Sequence, residues 1–134
     1  MVEQAEPGHE IEALIHPGSD GNFWGEVVGL AGCYTQGDNY SKILARLRDA
    51  HELCSRSPGP PPAPSTPITL GDGASVGDLI SLLKSAGWRE ADEASESHLL
   101  LEHGASGSKL CVPSDLAELI HSGLRAAITN YLAG

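Results

Sequence analysis

Apolar and polar positions near the start of the chain alternate in the way that β-strands require. Residues 11–15 and 23–28 predict two strands of a hairpin, because glycine, proline and aspartate cluster between them. Residues 33–36 predict a short third strand that ends at a Gly-Asp pair. The order of these segments favours an antiparallel sheet.

The period of the pattern then changes from two to about 3.6, which is typical of a helix. Asn39 or Ser41 is the predicted N-cap of this helix. Its apolar positions are Tyr40, Ile43, Leu44, Leu47 and Leu53. The first part of the chain is therefore predicted to be β-β-β-α.

A second helix is predicted after residue 75, with a complete set of boundary signals. Ser75 is the expected N-cap, and with Asp78 three residues later it forms a pattern close to that of a capping box. Gly87 stands where a left-handed residue commonly ends a helix. The apolar side of this helix consists of Val76, Leu79, Ile80, Leu82 and Leu83.

Three strands and a last helix follow. Residues 88–91 predict the first strand, and residues 97–102 and 109–112 predict a hairpin around a glycine-rich turn. Ser114 or Asp115 is the expected N-cap of the last helix. The second part is thus α-β-β-β-α, and the whole chain is predicted to be an α+β protein.

A proline-rich segment separates the two parts. Residues 56–67 contain six prolines and can form neither a helix nor a strand ladder, so they are expected to be a semi-extended polyproline spacer. The predicted organisation is a first domain at 1–55, a linker at 56–67 and a second domain at 68–134.

The charge of the chain bears on its partners. The net charge is −10, from 18 acidic and 8 basic residues. Affinity for nucleic acid comes largely from lysine and arginine on phosphates. An acidic chain therefore disfavours RNA as a partner and favours a basic protein.

The cysteines and the hydropathy pattern bear on the compartment. There are three cysteines, an odd number with no C-x-x-C pair, which favours reduced thiols over a disulfide framework. No apolar segment is long enough for a membrane span, and the N-terminal residues are acidic, unlike a signal peptide. We expect a cytoplasmic protein without a membrane partner.

The first part resembles the N-terminal domain of HicB antitoxins. The resemblance rests on Asp20-Gly21, Glu26-Val27 and the run Leu30-x-Gly32-Cys33-x-Thr35-x-Gly37-Asp38 that leads into a helix. It implies a partial RNase H-like sheet with one helix, and HicB-like domains commonly associate. The expected partners are a second copy of the chain, the chain's own second domain, or a basic HicA-type toxin.

The second part resembles HicA toxins, which have a fold like that of double-stranded-RNA-binding domains and cleave mRNA without a metal. The resemblance rests on the segment 79–88, Ser97-His98, Val112-Pro113 and Gly123-Leu124-Arg125. It implies that His98 is the catalytic residue, with Ser97, Lys84 and Lys109 as substrate-binding candidates. Glu96 stands where the family motif has glycine.

These features predict a toxin–antitoxin-related fusion that is antitoxin-like or neutralises itself, acts through protein contacts, and has an inactive or masked HicA-like domain. One alternative is a metal-independent endoribonuclease with His98 as general base. Another is an acidic inhibitor that mimics nucleic acid. No metal or cofactor is expected, because His98 and His103 face opposite sides of one strand.

Overall fold

The computed structural model describes residues 2–6, 9–18, 21–56, 59–60 and 69–133, with side chains from Glu12 onward. Within these residues the chain is an α+β protein, as predicted. Its elements in chain order are β1 (Val2–Glu6), β2 (His9–Pro17), β3 (Phe23–Val27), β4 (Tyr34–Gly37), α1 (Tyr40–Arg56), α2 (Val76–Ser85), β5 (Trp88–Ala94), β6 (His98–His103), β7 (Lys109–Pro113) and α3 (Ser122–Ala133).

The first sheet contains one strand more than predicted. Its order is β1-β2-β3-β4, with antiparallel pairing throughout, so β-β-β-α is corrected to β-β-β-β-α. Strand β1 has only two apolar residues, Val2 and Ala5, and they do not alternate. Backbone pairing with β2 defines this strand, and the hydrophobic pattern could not have revealed it.

Helix α1 follows the apolar stripe that predicted it. The side chain of Asn39 accepts a hydrogen bond of 2.8 Å from the backbone N–H of Lys42, which confirms Asn39 as the N-cap. One face of the helix is buried along its length, at Ile43, Leu47, Ala50, Leu53 and Cys54.

Helix α2 has both predicted boundaries. Ser75 and Asp78 form a reciprocal capping box, in which each side chain accepts from the other residue's backbone N–H. Gly87 follows the helix with φ +94°, a left-handed conformation that glycine adopts without strain.

The hairpin of β6 and β7 lies between two layers of helices. Leu100 and Cys111 belong to the same buried cluster as the apolar face of α1. Their neighbours Leu101, Leu110 and Val112 belong to the cluster formed with α2 and α3. Because successive strand residues point to opposite faces, one hairpin supplies both cores.

The last helix begins later than predicted. Ser114 and Asp115 do not cap it, since α3 starts at Ser122. Segment 114–121 instead pairs with the start of α2. The carbonyls of Leu116 and Glu118 accept from the N–H groups of Gly77 and Val76. These bonds satisfy donors that a helix N-terminus leaves without intrahelical partners, and they replace the predicted helical turns.

The two halves of the chain meet where β4 lies beside β7. The backbones of Cys33 and Cys111 form an isolated parallel β-bridge, in which the Cys111 N–H donates to the Gly32 carbonyl over 2.8 Å. The polyproline prediction for 56–67 falls mostly on positions 57, 58 and 61–67, outside the described residues. The division into domains at 1–55 and 68–134 stays a prediction.

The described helices also bear on the membrane prediction. None of them is both long enough and apolar enough to cross a membrane.

The close approach at Gly32 gives a test of how the halves meet. Gly32 has φ +77°, and a Cβ there would clash with the Lys109 carbonyl oxygen and the Tyr131 hydroxyl. Gly29 has φ +88°, but a Cβ there would meet no heavy atom. We expect Gly32→Ala to lower the free energy of unfolding by about 3 kcal/mol, and Gly29→Ala by about 1 kcal/mol.

Urea unfolding of both variants beside the wild type measures this difference. Equal losses for the two substitutions would mean that the halves do not approach each other at Gly32.

Candidate functional site

His98 is the first residue of β6 and is completely buried, with 0% of its surface exposed. Leu100, two residues further along the strand, packs in the same cluster as α1. His98 therefore points toward α1, away from α2 and α3.

Both ring nitrogens of His98 are engaged by side chains from the first half of the chain. Nδ1 lies 2.7 Å from Asp49 Oδ2, on α1. Nε2 lies 2.8 Å from the Thr35 hydroxyl, on β4, and Thr35 is also fully buried. An ionised Asp49 can only accept, so Nδ1 carries the proton and Nε2 accepts from Thr35.

Two serines complete the site through Asp49. The hydroxyls of Ser95 and Ser97 donate to Asp49 Oδ2 over 2.5 and 2.6 Å. Ser97 also lies 3.0 Å from His98 Nδ1. Ser97, the predicted substrate-binding residue, therefore lies beside the His98 imidazole, and its hydroxyl holds the Asp49 carboxylate in place. We call these five residues, Thr35, Asp49, Ser95, Ser97 and His98, the histidine cluster.

Burial and hydrogen bonding set the charges in the histidine cluster. Desolvation lowers the pKa of His98, and the raising effect of Asp49 does not outweigh it, so the imidazole is neutral at pH 7. For Asp49, desolvation raises the pKa, but the bonds from Ser95, Ser97 and His98 prevail and lower it to about 2. The cluster thus contains one carboxylate and one neutral imidazole.

The neutral imidazole has the protonation state of a general base, but its hydrogen bonds prevent it from acting as one. A base that takes a proton from a ribose hydroxyl needs a free nitrogen within hydrogen-bond reach of that hydroxyl. Nε2 is the unprotonated nitrogen of His98, and Thr35 occupies it. In this arrangement His98 cannot reach a substrate.

The two predicted lysines lie elsewhere. Lys109 pairs opposite Glu102 across the hairpin and forms an ion pair with it at 3.2 Å. Glu102 is four positions from His98, which is about 13 Å along a strand. Lys84 belongs to α2, in the opposite helical layer, and its ammonium lies 3.1 Å from Glu90. The structure does not bring either lysine to His98.

A cation from the first half lies closer to the histidine cluster. Arg46 is one turn before Asp49 on α1, and its charge lowers the pKa of His98. Its guanidinium makes two bonds to the Glu118 carboxylate, of 2.8 and 3.0 Å, and a third to the Gln36 carbonyl. Burial raises the pKa of Glu118, but the bonds from Arg46 and Gln36 lower it overall.

Gln36 is a further buried polar residue at this junction, with 1% of its surface exposed. Its amide nitrogen donates to Glu118 and to the Leu119 carbonyl, over 2.9 and 2.6 Å. Its amide oxygen accepts from the His121 N–H over 3.0 Å. Every one of these partners lies in segment 114–121. We call Gln36, Arg46 and this segment the polar clasp.

A cavity of about 440 Å³ lies beside the histidine cluster. Asp49 and Ser97 belong to both, so they separate the cavity from the buried imidazole. The full lining is Lys42, Ala45, Arg46, Asp49, Glu96, Ser97, Ser114 and Asp115. The cavity therefore lies between α1 and two loops of the second half.

Metal binding finds no support in the described part of the chain. Among those residues no group of three or more histidine, cysteine, aspartate or glutamate side chains is arranged to hold an ion. The imidazole of His103 forms a hydrogen bond of 2.9 Å with the Ser106 hydroxyl.

Sequence reasoning missed the residues that surround His98. In the sequence, Thr35 and Gln36 fall within the predicted third strand, and Arg46 and Asp49 are polar positions between the apolar ones of the predicted helix. Arg46 and Asp49 are three positions apart and therefore share a face beside the apolar stripe. That spacing was a signal, but it is common on solvated helices and could not name a partner.

Comparison with known proteins gives one partial similarity. A UPF0150 protein of Synechocystis sp. is 38% identical to this chain over 45 residues, which are 34% of this chain and 65% of the relative. The chain thus spans slightly less than two thirds of the curated relative that it matches. No family profile and no solved structure matches the chain. The similarity supports at most a HicB-like relationship for part of the chain.

The buried neutral His98 makes stability depend on pH. Its folded pKa lies below the unfolded value of 6.5, so the unfolded state binds a proton first as the pH falls. The contribution of neutral His98 to the free energy of unfolding is therefore complete above the unfolded pKa of 6.5, and it decreases as the pH falls below that value. We expect the wild type to lose more stability than His98→Asn between about pH 7.5 and about pH 5.5, measured as urea midpoints.

Asparagine keeps a donor toward Asp49 but does not titrate in this range, so it is the matched control. Parallel pH curves for the two proteins would show that His98 titrates alike in the folded and unfolded states.

The polar clasp predicts a strong coupling between Arg46 and Glu118. Their side chains are only 15% and 18% exposed. We expect a double-mutant cycle with Arg46→Ala and Glu118→Ala to give a coupling of about 2 kcal/mol in urea unfolding.

Lys42 and Asp38 form the control pair, since their side chains are 43% and 73% exposed. Their coupling should be about 0.3 kcal/mol. The clasp assignment is wrong if both cycles return the same coupling.

Proposed function

We propose that this protein is a toxin–antitoxin-related fusion in which the antitoxin-like half keeps the toxin-like half inactive through direct protein contacts. The observation that carries the proposal is the burial of His98 under Asp49 and Thr35, two residues of the other half. The residue that the HicA resemblance marks as catalytic is the one that the HicB-like half covers.

The nature of the contacts supports inhibition in preference to mere proximity. Thr35 occupies Nε2, the nitrogen that a general base would use, and Asp49 fixes the imidazole from the other side. In the polar clasp, Arg46 on the same helix and Gln36 on the same strand both donate charge-assisted hydrogen bonds to the Glu118 carboxylate. The partial similarity to a UPF0150 protein is compatible with an antitoxin-like first half.

The charge around the cavity supports the same proposal. Arg46 is engaged by Glu118, and Lys42 by Asp38. The cavity also contains three carboxylates, on Asp49, Glu96 and Asp115. A polyanionic RNA would be repelled from this opening as it stands.

The full-length chain is the proper material for testing the proposal. Leu100 and Cys111 of the second half are buried against α1. A fragment of residues 68–134 would expose both, and its failure to cleave RNA could reflect misfolding. Weakening the polar clasp in the intact chain avoids this problem.

We expect the double variant Gln36→Ala/Arg46→Ala to cleave a labelled RNA that the wild type leaves intact. The two substitutions remove the bonds to segment 114–121, so α1 separates from His98 more often. Adding His98→Ala to the same background should abolish the cleavage. Hydrogen exchange at β6 checks that the double variant is folded and more open.

A folded, more open variant that cuts no RNA would contradict the masked-nuclease proposal. Cleavage that survives His98→Ala would contradict the role given to His98. In the first case the second half is an interaction module that has the toxin's sequence pattern without its activity.

A further inference from the structure

One oxygen of the Asp49 carboxylate accepts three hydrogen bonds from the second half of the chain. The donors to Oδ2 are the Ser95 hydroxyl at 2.5 Å, the Ser97 hydroxyl at 2.6 Å and His98 Nδ1 at 2.7 Å. Such short distances are typical of hydrogen bonds to an ionised acceptor. We call Ser95, Ser97 and His98 the anion cradle, because their donors converge on a single anionic oxygen.

The anion cradle is held in shape by bonds within the second half. The Ser95 N–H donates to the His98 carbonyl over 3.0 Å, and the His98 N–H donates to the Ser95 hydroxyl oxygen over 3.1 Å. The Ser114 N–H donates to the Ser97 carbonyl over 2.9 Å. Because these bonds do not involve α1, the three donors stay in place when the carboxylate is removed. Donors fixed in advance around an anionic oxygen are the design of an oxyanion site.

The cavity described above gives access to the anion cradle. Its volume of about 440 Å³ is more than ten times the roughly 30 Å³ that a water molecule occupies in the liquid. The side chain of Asp49, which lines this cavity, is 25% exposed, whereas that of His98 is 0% exposed. Asp49 therefore stands between the cavity and the other two cradle residues' shared neighbour, the imidazole. Without its carboxylate, a small anion would reach the cradle from the cavity.

We propose that the anion cradle is a binding site for a phosphate oxygen, and that Asp49 takes the place of this phosphate while α1 covers His98. Serine hydroxyls and imidazole N–H groups donate to phosphate oxygens as they do to a carboxylate. Although burial raises the pKa of Asp49, the bonds from Ser95, Ser97 and His98 lower it overall to about 2. The cradle thus favours a negatively charged occupant.

The source of the phosphate rests on the proposed function, in which the second half cleaves RNA once α1 withdraws. A phosphate of the RNA backbone would then bind at Nδ1, while Nε2 loses Thr35 and faces a ribose hydroxyl. The cradle would position the strand, and Asp49 would inhibit by imitating the substrate. Glu96 and Asp115 also line the cavity, so we expect only modest affinity for a phosphate.

Inorganic phosphate is the probe, and the full-length chain with Asp49→Ala is the material. Calorimetric titration at pH 7, with chloride added to keep the ionic strength constant, should give a Kd on the order of 1 mM. The wild type should bind at least tenfold more weakly, because its own carboxylate fills the cradle. Asp49→Ser is the second variant should Asp49→Ala not fold.

Asp115→Ala is the matched control for charge. Asp115 lines the same cavity, but its carboxylate accepts from the Ala117 N–H over 3.0 Å. The substitution removes one negative charge from the cavity and leaves Asp49 in the cradle. We expect it to bind phosphate as weakly as the wild type does.

A pair of serines tests the cradle itself. In the Asp49→Ala background, Ser97→Ala should raise the Kd for phosphate about tenfold, since a bond to a charged group is lost. Ser114→Ala should leave the Kd unchanged, because the Ser114 hydroxyl lines the cavity but donates to the Glu96 carbonyl.

Three results would overturn the proposal. They are a folded Asp49→Ala or Asp49→Ser protein that binds no phosphate, equal binding by Asp115→Ala, and equal effects of Ser97→Ala and Ser114→Ala. Acetate that binds as tightly as phosphate would assign the cradle to carboxylates and would overturn the choice of ligand.

A cleavage assay separates this proposal from the proposed function. Phosphate should inhibit RNA cleavage by Gln36→Ala/Arg46→Ala, and chloride at equal ionic strength should not. If this variant never cleaves RNA while Asp49→Ala binds phosphate, the proposed function fails and the anion cradle stands. Cleavage that phosphate leaves unchanged would refute the imitation of the substrate by Asp49.

Discussion

Buried polar groups must find hydrogen-bond partners, and this requirement governs how the two halves of the chain meet. Thr35, Gln36 and His98 are almost completely withdrawn from water. Each has hydrogen-bond partners in the opposite half. Separating the halves would break all of these hydrogen bonds at once, and they must all form again when the halves reassemble. An unsatisfied buried donor or acceptor costs about 1–3 kcal/mol, which makes the arrangement specific as well as stable.

The apolar packing reinforces this dependence. The hairpin of β6 and β7 has no solvated face, because α1 covers one side and α2 with α3 cover the other. If α1 separated from this hairpin, the side chains of Leu100 and Cys111 would be exposed to water. A chain of 134 residues that is split into two small domains would have little core in each, and a shared core offsets that weakness.

The same contacts connect structure to the proposed activity. A neutral imidazole has the protonation state that a general base needs. What it lacks is access, since α1 and β4 occupy the space in front of it. In the proposed function, the neighbouring half would inhibit by covering the imidazole. The acidic surface adds a barrier to RNA, because carboxylates line the cavity that leads toward the imidazole.

The sequence by itself determined the local structure. The period of apolar residues defined α1, the capping box defined the start of α2, and Gly87 defined its end, because these signals act within a few residues. It also singled out His98 and Ser97 through a family resemblance. It could not reveal β1, since backbone pairing leaves little trace in the side chains, and it placed a helix at 114–121.

Only the tertiary structure decided the rest. The carbonyls of segment 114–121 bond to the first turn of α2, and its other polar groups bond to Gln36 and Arg46, so distant partners prevailed over local helical preference. Asp49 and Thr35 meet His98 from positions 49 and 63 residues away in the chain. No periodicity records such a meeting, because it depends on how two sheets and a helix pack.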